Sequence, residues 1–333
     1  MRIVISIVTL AFLWSCGNNE ATYRAVQGEA FGTSYSIQYY ATSEFDAQRG
    51  IDSVVQAVNS SVSTYMPNSD ISLINQGDAT VVVDSIFIDV FQLSDEIYRK
   101  TDGYFDPTVG VLRNAYGFGE SAPLRKLDST VVDSLLRYVG FQKVRLTENN
   151  TVEKKFPEIY FDFNAIAKGY GIDKIGAYLE KKGVTNYLIE LGGELLAKGT
   201  HVAKQKPWTV GIEAIDSRLD DRSYEAVIPL RNQAMASSGN YRKFRVDSLT
   251  GKKYVHTLNP LTGSAEQSNI TSATVLAPTC AMADAYATAF MALGLEKSKV
   301  ILETLTNVEA YLTYNDTQGT ATVFVSPGFK KLL

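Results

Sequence analysis

Strand-like alternation and helix-like spacing follow one another in irregular order along this chain of 333 residues, and no Pro/Gly/Ser-rich linker, heptad run or repeat interrupts them after residue 27. A regular β-α-β array needs a crossover helix between successive strands, so this order predicts an α+β fold in one continuous fabric. Alternation over residues 35–40 predicts a strand, after which Ile51, Val54, Val55 and Val58 share one helical face. A second helix is predicted behind Asp84 as N-cap, with Phe87, Val90, Phe91, Ser94 and Ile97 inward. Val131, Val132, Leu135 and Leu136 mark a short third. A longer helix over 164–182 stops at Gly183, and a buried strand over 186–191 follows. Further strands are predicted at 208–212, 226–230, 269–277, 310–314 and 320–325, with helices at 281–293 and 296–305 separating the later ones. The polar stretch 199–222 reads as an insertion or surface excursion.

Composition supports a packed core and narrows the chemistry. The chain is 45% hydrophobic and 20% charged, which is too apolar for disorder. Lys and Arg number 32 against 36 Asp and Glu, with no basic run, so non-specific nucleic-acid binding is excluded as a role. There are two cysteines, Cys16 and Cys280, and two histidines, His201 and His256. Those numbers exclude a disulfide framework, a cysteine zinc site and a multi-histidine metal site. Any metal chemistry must therefore use oxygen ligands.

The beginning of the chain reads as an address. Residues 3–13 are apolar apart from Ser6 and Thr9, shorter than the roughly 20 residues of a membrane-spanning helix but suited to a signal-peptide core. The run ends Leu13-Trp14-Ser15-Cys16, which resembles a bacterial lipobox: cleavage before Cys16 would make it the lipidated N-terminus. The expected organisation is a signal peptide at 1–15, a polar tether at 16–26 and a globular domain at 27–333, anchored on the extracytoplasmic face of a cell membrane. Cys280, in an Ala-rich and apolar setting, reads as a buried, inert thiol.

Five places could carry chemistry. Asp102 and Asp106 sit in a turn stiffened by Gly103 and Pro107, which suits either ligand presentation or turn formation. Asp162 ends a strand just before a helix whose first turn carries Lys168, an arrangement able to bind an anion. Gly192 and Gly193 lie between Glu190 and Glu194 after a buried strand and allow close approach of a ligand, or simply a bulge; the spacing matches neither a P-loop nor Gly-x-Gly-x-x-Gly. Ser237 to Tyr241 and His256 to Gly263 are polar and turn-rich, separated by a basic hairpin with Arg242, Lys243, Arg245, Lys252 and Lys253. Asp284 and Thr288 are one turn apart on an otherwise apolar helix, a carboxylate and a hydroxyl suited to a hard cation such as Mg²⁺.

Taken in order, Gly32-Thr33, the Asp102 to Thr108 turn, Tyr116 to Gly119, Asp162 with Lys168 to Tyr170, Gly192-Gly193, Ser238-Gly239, His256 with Asn259-Pro260 and Thr262-Gly263, and Asp284 with Thr288 resemble the FAD:protein FMN transferase family of ApbE type. The resemblance spans about residues 27 to 294. It implies the family's α+β fold, as one mixed domain or two intimately packed subdomains. It further implies FAD as substrate, Mg²⁺ as cofactor, and transfer of FMN to a threonine hydroxyl of a partner protein, such as a subunit of a membrane redox complex, with release of AMP. By matching motif, the metal would be held by the Asp284 carboxylate, the Thr288 hydroxyl and the Ala165 carbonyl. FAD would meet Phe31, Tyr65, Tyr104, Phe105, Asp106, Asp162, Lys168, Gly193, Ser238, Gly239 and Leu258. His256 is the candidate base or hydroxyl-orienting group, with Asp284 the other candidate. Tyr104, Asn240 and Asn259 depart from the commoner family residues, which bears on flavin packing. Two rival readings use the same residues: hydrolysis of FAD to FMN and AMP, and non-enzymatic flavin binding by a surface lipoprotein.

Overall fold

A computed structural model describes residues 20–119, 122–124, 127–214, 217, 223–240, 244–247 and 251–333. The signal peptide and lipidated Cys16 expected from the sequence, and the basic residues Arg242 and Lys243, lie outside the described residues.

In chain order the strands are β1 (Thr22–Ala30), β2 (Thr33–Ala41), β3 (Val144–Leu146), β4 (Val152–Lys154), β5 (Asn186–Leu191), β6 (Glu194–Lys198), β7 (Trp208–Glu213), β8 (Tyr224–Leu230), β9 (Gln233–Gly239), β10 (Phe244–Val246), β11 (Lys253–Val255), β12 (Ile270–Ala277), β13 (Glu309–Asn315) and β14 (Ala321–Val325). The helices are α1 (Ala47–Val62), α2 (Asp70–Asn75), α3 (Ser85–Lys100), α4 (Gly110–Tyr116), α5 (Ser129–Leu136), α6 (Ala167–Lys181), α7 (Cys280–Leu293), α8 (Leu295–Thr304) and α9 (Pro327–Lys330). Eight strands form one antiparallel sheet in the order β1-β2-β5-β6-β9-β12-β13-β14. This is the α+β architecture expected.

Both faces of the sheet are covered, which explains why its central strands read as near-continuous apolar runs. On β5, Tyr187, Ile189 and Leu191 face the larger core under α1, α3, α6 and α7. Leu188 points the other way, into a smaller core with Trp208, Ile228, Leu230 and Phe329. The segment 199–222 is therefore more than an excursion: its strand β7 pairs with β8 and seals the second face, with Trp208 wholly buried.

The end of the tether expected at 16–26 is part of the sheet. Residues Thr22 to Val26 already belong to edge strand β1, paired with β2 from Thr22↔Ala41 to Ala30↔Thr33. An edge strand with one solvated face carries little apolar signal of its own, and β1 holds its place through ladder hydrogen bonds. Likewise Ser237 to Gly239, read as turn, are the end of β9 and pair with Ala273 and its neighbours on β12. Small polar side chains there obscured a strand.

Helix α6 begins at Ala167, three residues later than predicted. The Asp162 carboxylate accepts from the Asn164 amide at 2.8 Å and closes a turn ahead of the helix. Helix α7 starts at Cys280, one residue before the predicted 281, its first amides accepted by the half-buried Asp173 of α6: Cys280 N at 2.8 Å and Ala281 N at 2.9 Å. Burial pushes the Asp173 carboxyl up to about 6, with those amides pulling it back. Cys280 is fully buried beneath, as expected of an inert thiol, and burial raises its thiol well above the usual range.

Tyr286, on the same helix, has its hydroxyl buried without a hydrogen-bond partner among the described residues. An unsatisfied buried hydroxyl is unfavourable by ~1–3 kcal/mol. Tyr286→Phe should therefore leave the urea midpoint unchanged or raise stability by up to about 1 kcal/mol; a clear loss would mean that the hydroxyl is satisfied.

Candidate active site

A cavity of about 760 Å³ opens between the helical layer, the β9 end of the sheet and the loops around α4, large enough for a nucleotide-sized ligand. Its walls come from residues far apart in sequence, and local hydrogen bonds fix each of them. Asn75 clamps the segment before Asp162 by donating to the Phe161 carbonyl at 2.9 Å and accepting its amide at 2.7 Å. The Asp162 amide donates to the Pro107 carbonyl at 2.7 Å, tying the first predicted cluster to the second.

Within that first cluster, Tyr104, Phe105 and Asp106 line the cavity. The buried Asp106 carboxylate accepts from Thr108 N at 2.8 Å, Thr108 Oγ1 at 2.6 Å and Phe141 N at 3.2 Å. These bonds build the turn that lines the cavity. Burial pushes this carboxyl up to about 6 against those donors. Asp102, at φ 48°, is exposed and outside the cavity lining. The Tyr104 ring carries the Lys297 ammonium 4.5 Å from its centre, and Lys297 also donates to its hydroxyl.

Asp162 lines the cavity and is ion-paired with Arg113 of α4. The other arm of that guanidinium donates to the Tyr65 hydroxyl at 3.0 Å and props up a ring that is 62% exposed at the cavity mouth. Sequence reasoning missed Arg113, because it lies on a seven-residue helix that gave no readable period.

A second charged group joins α6, β6 and α7. Lys168, in the first turn of α6, meets Glu194 Oε2 at 2.5 Å. Asp284 of α7 accepts from Gly169 N at 3.2 Å through Oδ2. Burial pushes both carboxyls up and Lys168 pulls them back; in turn, Glu194 and Asp284 hold the ammonium charged against its own burial. One turn on from Asp284, the Thr288 hydroxyl is 3.4 Å from Ser238 Oγ of β9, and both line the cavity with Gly239. Glu194 was part of a noted motif but was not singled out as a site residue. The signal was there, in an acid following a Gly-Gly turn as the first residue of a buried strand.

Gly193 is a correction. It sits in the β5–β6 turn at φ 98°, its amide bonded to Glu190 Oε1 at 2.9 Å, and is not part of the cavity lining. The pair of glycines makes a tight hairpin there. Phe31 and Leu258 do line the cavity, as does His256, which is followed by Thr257 bonded to the buried Asn240 at 3.2 Å. Asn259 accepts from Leu261 N and Thr262 N and shapes the next turn. His201 is elsewhere, 3.0 Å from the Tyr40 hydroxyl, with its ring tilted 45° against Trp208 at 5.0 Å between centres.

No group of three or more His, Cys, Asp and Glu side chains able to hold a metal occurs among the described residues. The oxygen donors expected for Mg²⁺ are nevertheless together in the cavity wall: the Asp284 carboxylate, the Thr288 hydroxyl and Ala165. In a continuous helix the Gly169 amide would bond to the Ala165 carbonyl. Here it is turned to Asp284, and the Ala165 carbonyl accepts no hydrogen bond among the described residues. A backbone carbonyl that accepts no hydrogen bond among the described residues, lining the same cavity as a carboxylate and a hydroxyl, fits a hard cation.

A sequence-family model described as the ApbE family matches residues 31–312. The chain is similar to a FAD:protein FMN transferase of Haemophilus influenzae, with 33% identity covering 99% of this chain and 96% of that protein. It is also similar to a FAD:protein FMN transferase of Vibrio cholerae, with 32% identity covering 90% of each. Among solved structures it is similar to the flavin transferase ApbE from Vibrio cholerae, with a TM-score of 0.81, 30% identity, 94% of this chain and 100% of that chain covered.

Proposed function

The chain belongs to the ApbE family, and from that membership we propose that it catalyses Mg²⁺-dependent transfer of FMN from FAD to a threonine hydroxyl of a partner protein, with release of AMP. The observation that carries this reading is the buried Asp284 with the half-buried Lys168 and Thr288, lining one cavity of nucleotide size together with Ala165, whose carbonyl accepts no hydrogen bond among the described residues. Asp284, Thr288 and the Ala165 carbonyl would hold Mg²⁺, which when bound supplies positive charge to a pyrophosphate. Lys168, at the first turn of α6, offers a second positive charge that is already in place before the reaction.

In the reaction, the threonine oxygen attacks the FMN-side phosphorus of FAD and the bond from that phosphorus to the bridging oxygen breaks. AMP departs with the bridging oxygen and the electron pair of that bond. His256 lines the cavity and in this reading takes the hydroxyl proton, with Asp284 the other candidate. Flavin and adenine rings have Phe31, Tyr65, Tyr104 and Leu258 as apolar walls. The apolar run at 3–13 ending at Cys16 supports anchoring by a lipid on the extracytoplasmic face; radiolabelled palmitate should enter the protein and fail to enter Cys16→Ser.

The reaction is tested by following AMP from FAD and Mg²⁺ with and without an acceptor protein. AMP release should depend on the acceptor. Equal release without it would mean hydrolysis, and saturable FAD binding with no AMP in either case would mean a binding protein. Arg113→Ala should raise the KM for FAD about tenfold or more with a smaller change in kcat, because it leaves Asp162 unpaired and Tyr65 unsupported. An unchanged KM would remove Arg113 from the binding wall.

A further inference from the structure

Four carboxylates line the cavity, and the proposed reaction gives Glu194 no task. Asp106 and Asp162 are bonded to partners around their turns. Glu194 and Asp284 both act on the Lys168 ammonium, yet the ion pair is with Glu194, at 2.5 Å, and not with Asp284. Asp284 Oδ2 takes the Gly169 amide, while Oδ1 has no hydrogen-bond partner among the described residues. The carboxylate therefore stays open although the half-buried Lys168 belongs to α6 directly before Gly169, whose amide that carboxylate accepts.

We propose that Glu194 is a positioning residue: its ion pair holds Lys168 away from Asp284, so that the Asp284 carboxylate stays free for a divalent cation while the ammonium remains in the cavity. The inference rests on the metal reading given above. The Lys168 side chain is 26% exposed, and an ammonium so far withdrawn from water is disfavoured without a partner and moves to the nearest anion, which the flexible lysine stem allows. Asp284 is the other anion that acts on it. Glu194 can restrain it because it sits on a strand, at the first residue of β6, paired with Leu191. Gly192 leaves room for the arrangement. At φ 59°, a side chain there would bring its Cβ to 3.3 Å from Lys168 Nζ and 2.6 Å from Thr33 Cγ2.

The test is Mn²⁺ binding, read by electron paramagnetic resonance without substrate, across wild type, Glu194→Gln, Lys168→Met and the double variant. Glu194→Gln should weaken Mn²⁺ binding about tenfold or more, because Lys168 then pairs with Asp284. Lys168→Met should strengthen binding far more in the Glu194→Gln background than in wild type. Glu194→Asp keeps the charge but shortens the reach to Lys168, and it too should weaken binding; this variant decides the matter should Glu194→Gln not fold. Equal effects of Lys168→Met in both backgrounds, or wild-type binding in Glu194→Asp, would overturn the positioning role while leaving the metal reading intact. Absence of Mn²⁺ binding in wild type, or binding untouched by Asp284→Ala, would overturn the metal reading and this inference together.

Discussion

Asp284→Ala should lower the rate of flavin transfer by about a thousandfold or more, with Asp284→Asn no better, because the ionised carboxylate is the one charged donor in the proposed cation site. Folding should suffer far less. The lost contact is one hydrogen bond from Gly169 N, about 1–3 kcal/mol, and Lys168 keeps its ion pair with Glu194. The measurement is a pair: turnover against Mg²⁺ concentration, and a denaturant melt of the same preparation. Turnover near the wild-type rate would remove Asp284 from the chemistry. A collapse of the melt would recast the loss as structural.

Gly169→Ala should be the most damaging small substitution in the core. The added methyl would lie 2.4 Å from the Cys280 carbonyl oxygen, 2.6 Å from its carbon and 2.8 Å from Ala281 Cα. These are backbone atoms at the start of α7, so no side chain can turn aside. Alanine gains about 1 kcal/mol over glycine in a helix, but overpacking of this kind is unfavourable by roughly 1–3 kcal/mol when side chains can yield, and by more when they cannot. A net loss of about 2–4 kcal/mol in a urea titration is expected. Because the same displacement pulls the Gly169 amide from Asp284, transfer activity should fall even where the variant stays folded. A stability within 0.5 kcal/mol of wild type would show that α6 and α7 do not pack as closely as described.

The helices and central strands were legible because burial imposes their periods. Asp84 caps α3 as expected, accepting from Phe87 N at 2.9 Å, and β5 spans the six residues predicted. Features decided by pairing or by long-range contact were harder to see. Strand β1 has one solvated face, and the end of β9 is built from Ser237, Ser238 and Gly239, so neither carries an apolar alternation. Most of the named residues that line the cavity were reached through motif order. The spacing of Asp284 and Thr288 also stood on its own, as two oxygen donors on an apolar helix. Gly193 misled because a glycine pair serves a tight hairpin as well as it serves a ligand. Arg113 and Glu194 declare themselves only once α4 and β6 are folded against Asp162 and Lys168, residues 49 and 26 positions away.

The reaction itself can be read from the mass of an acceptor protein incubated with FAD and Mg²⁺. One FMN should be added through a phosphoester to a single threonine, matched by one AMP released, and the addition should vanish when that threonine is replaced by alanine. AMP appearing at the same rate with the acceptor mass unchanged would contradict the transferase reading and leave a hydrolase in its place.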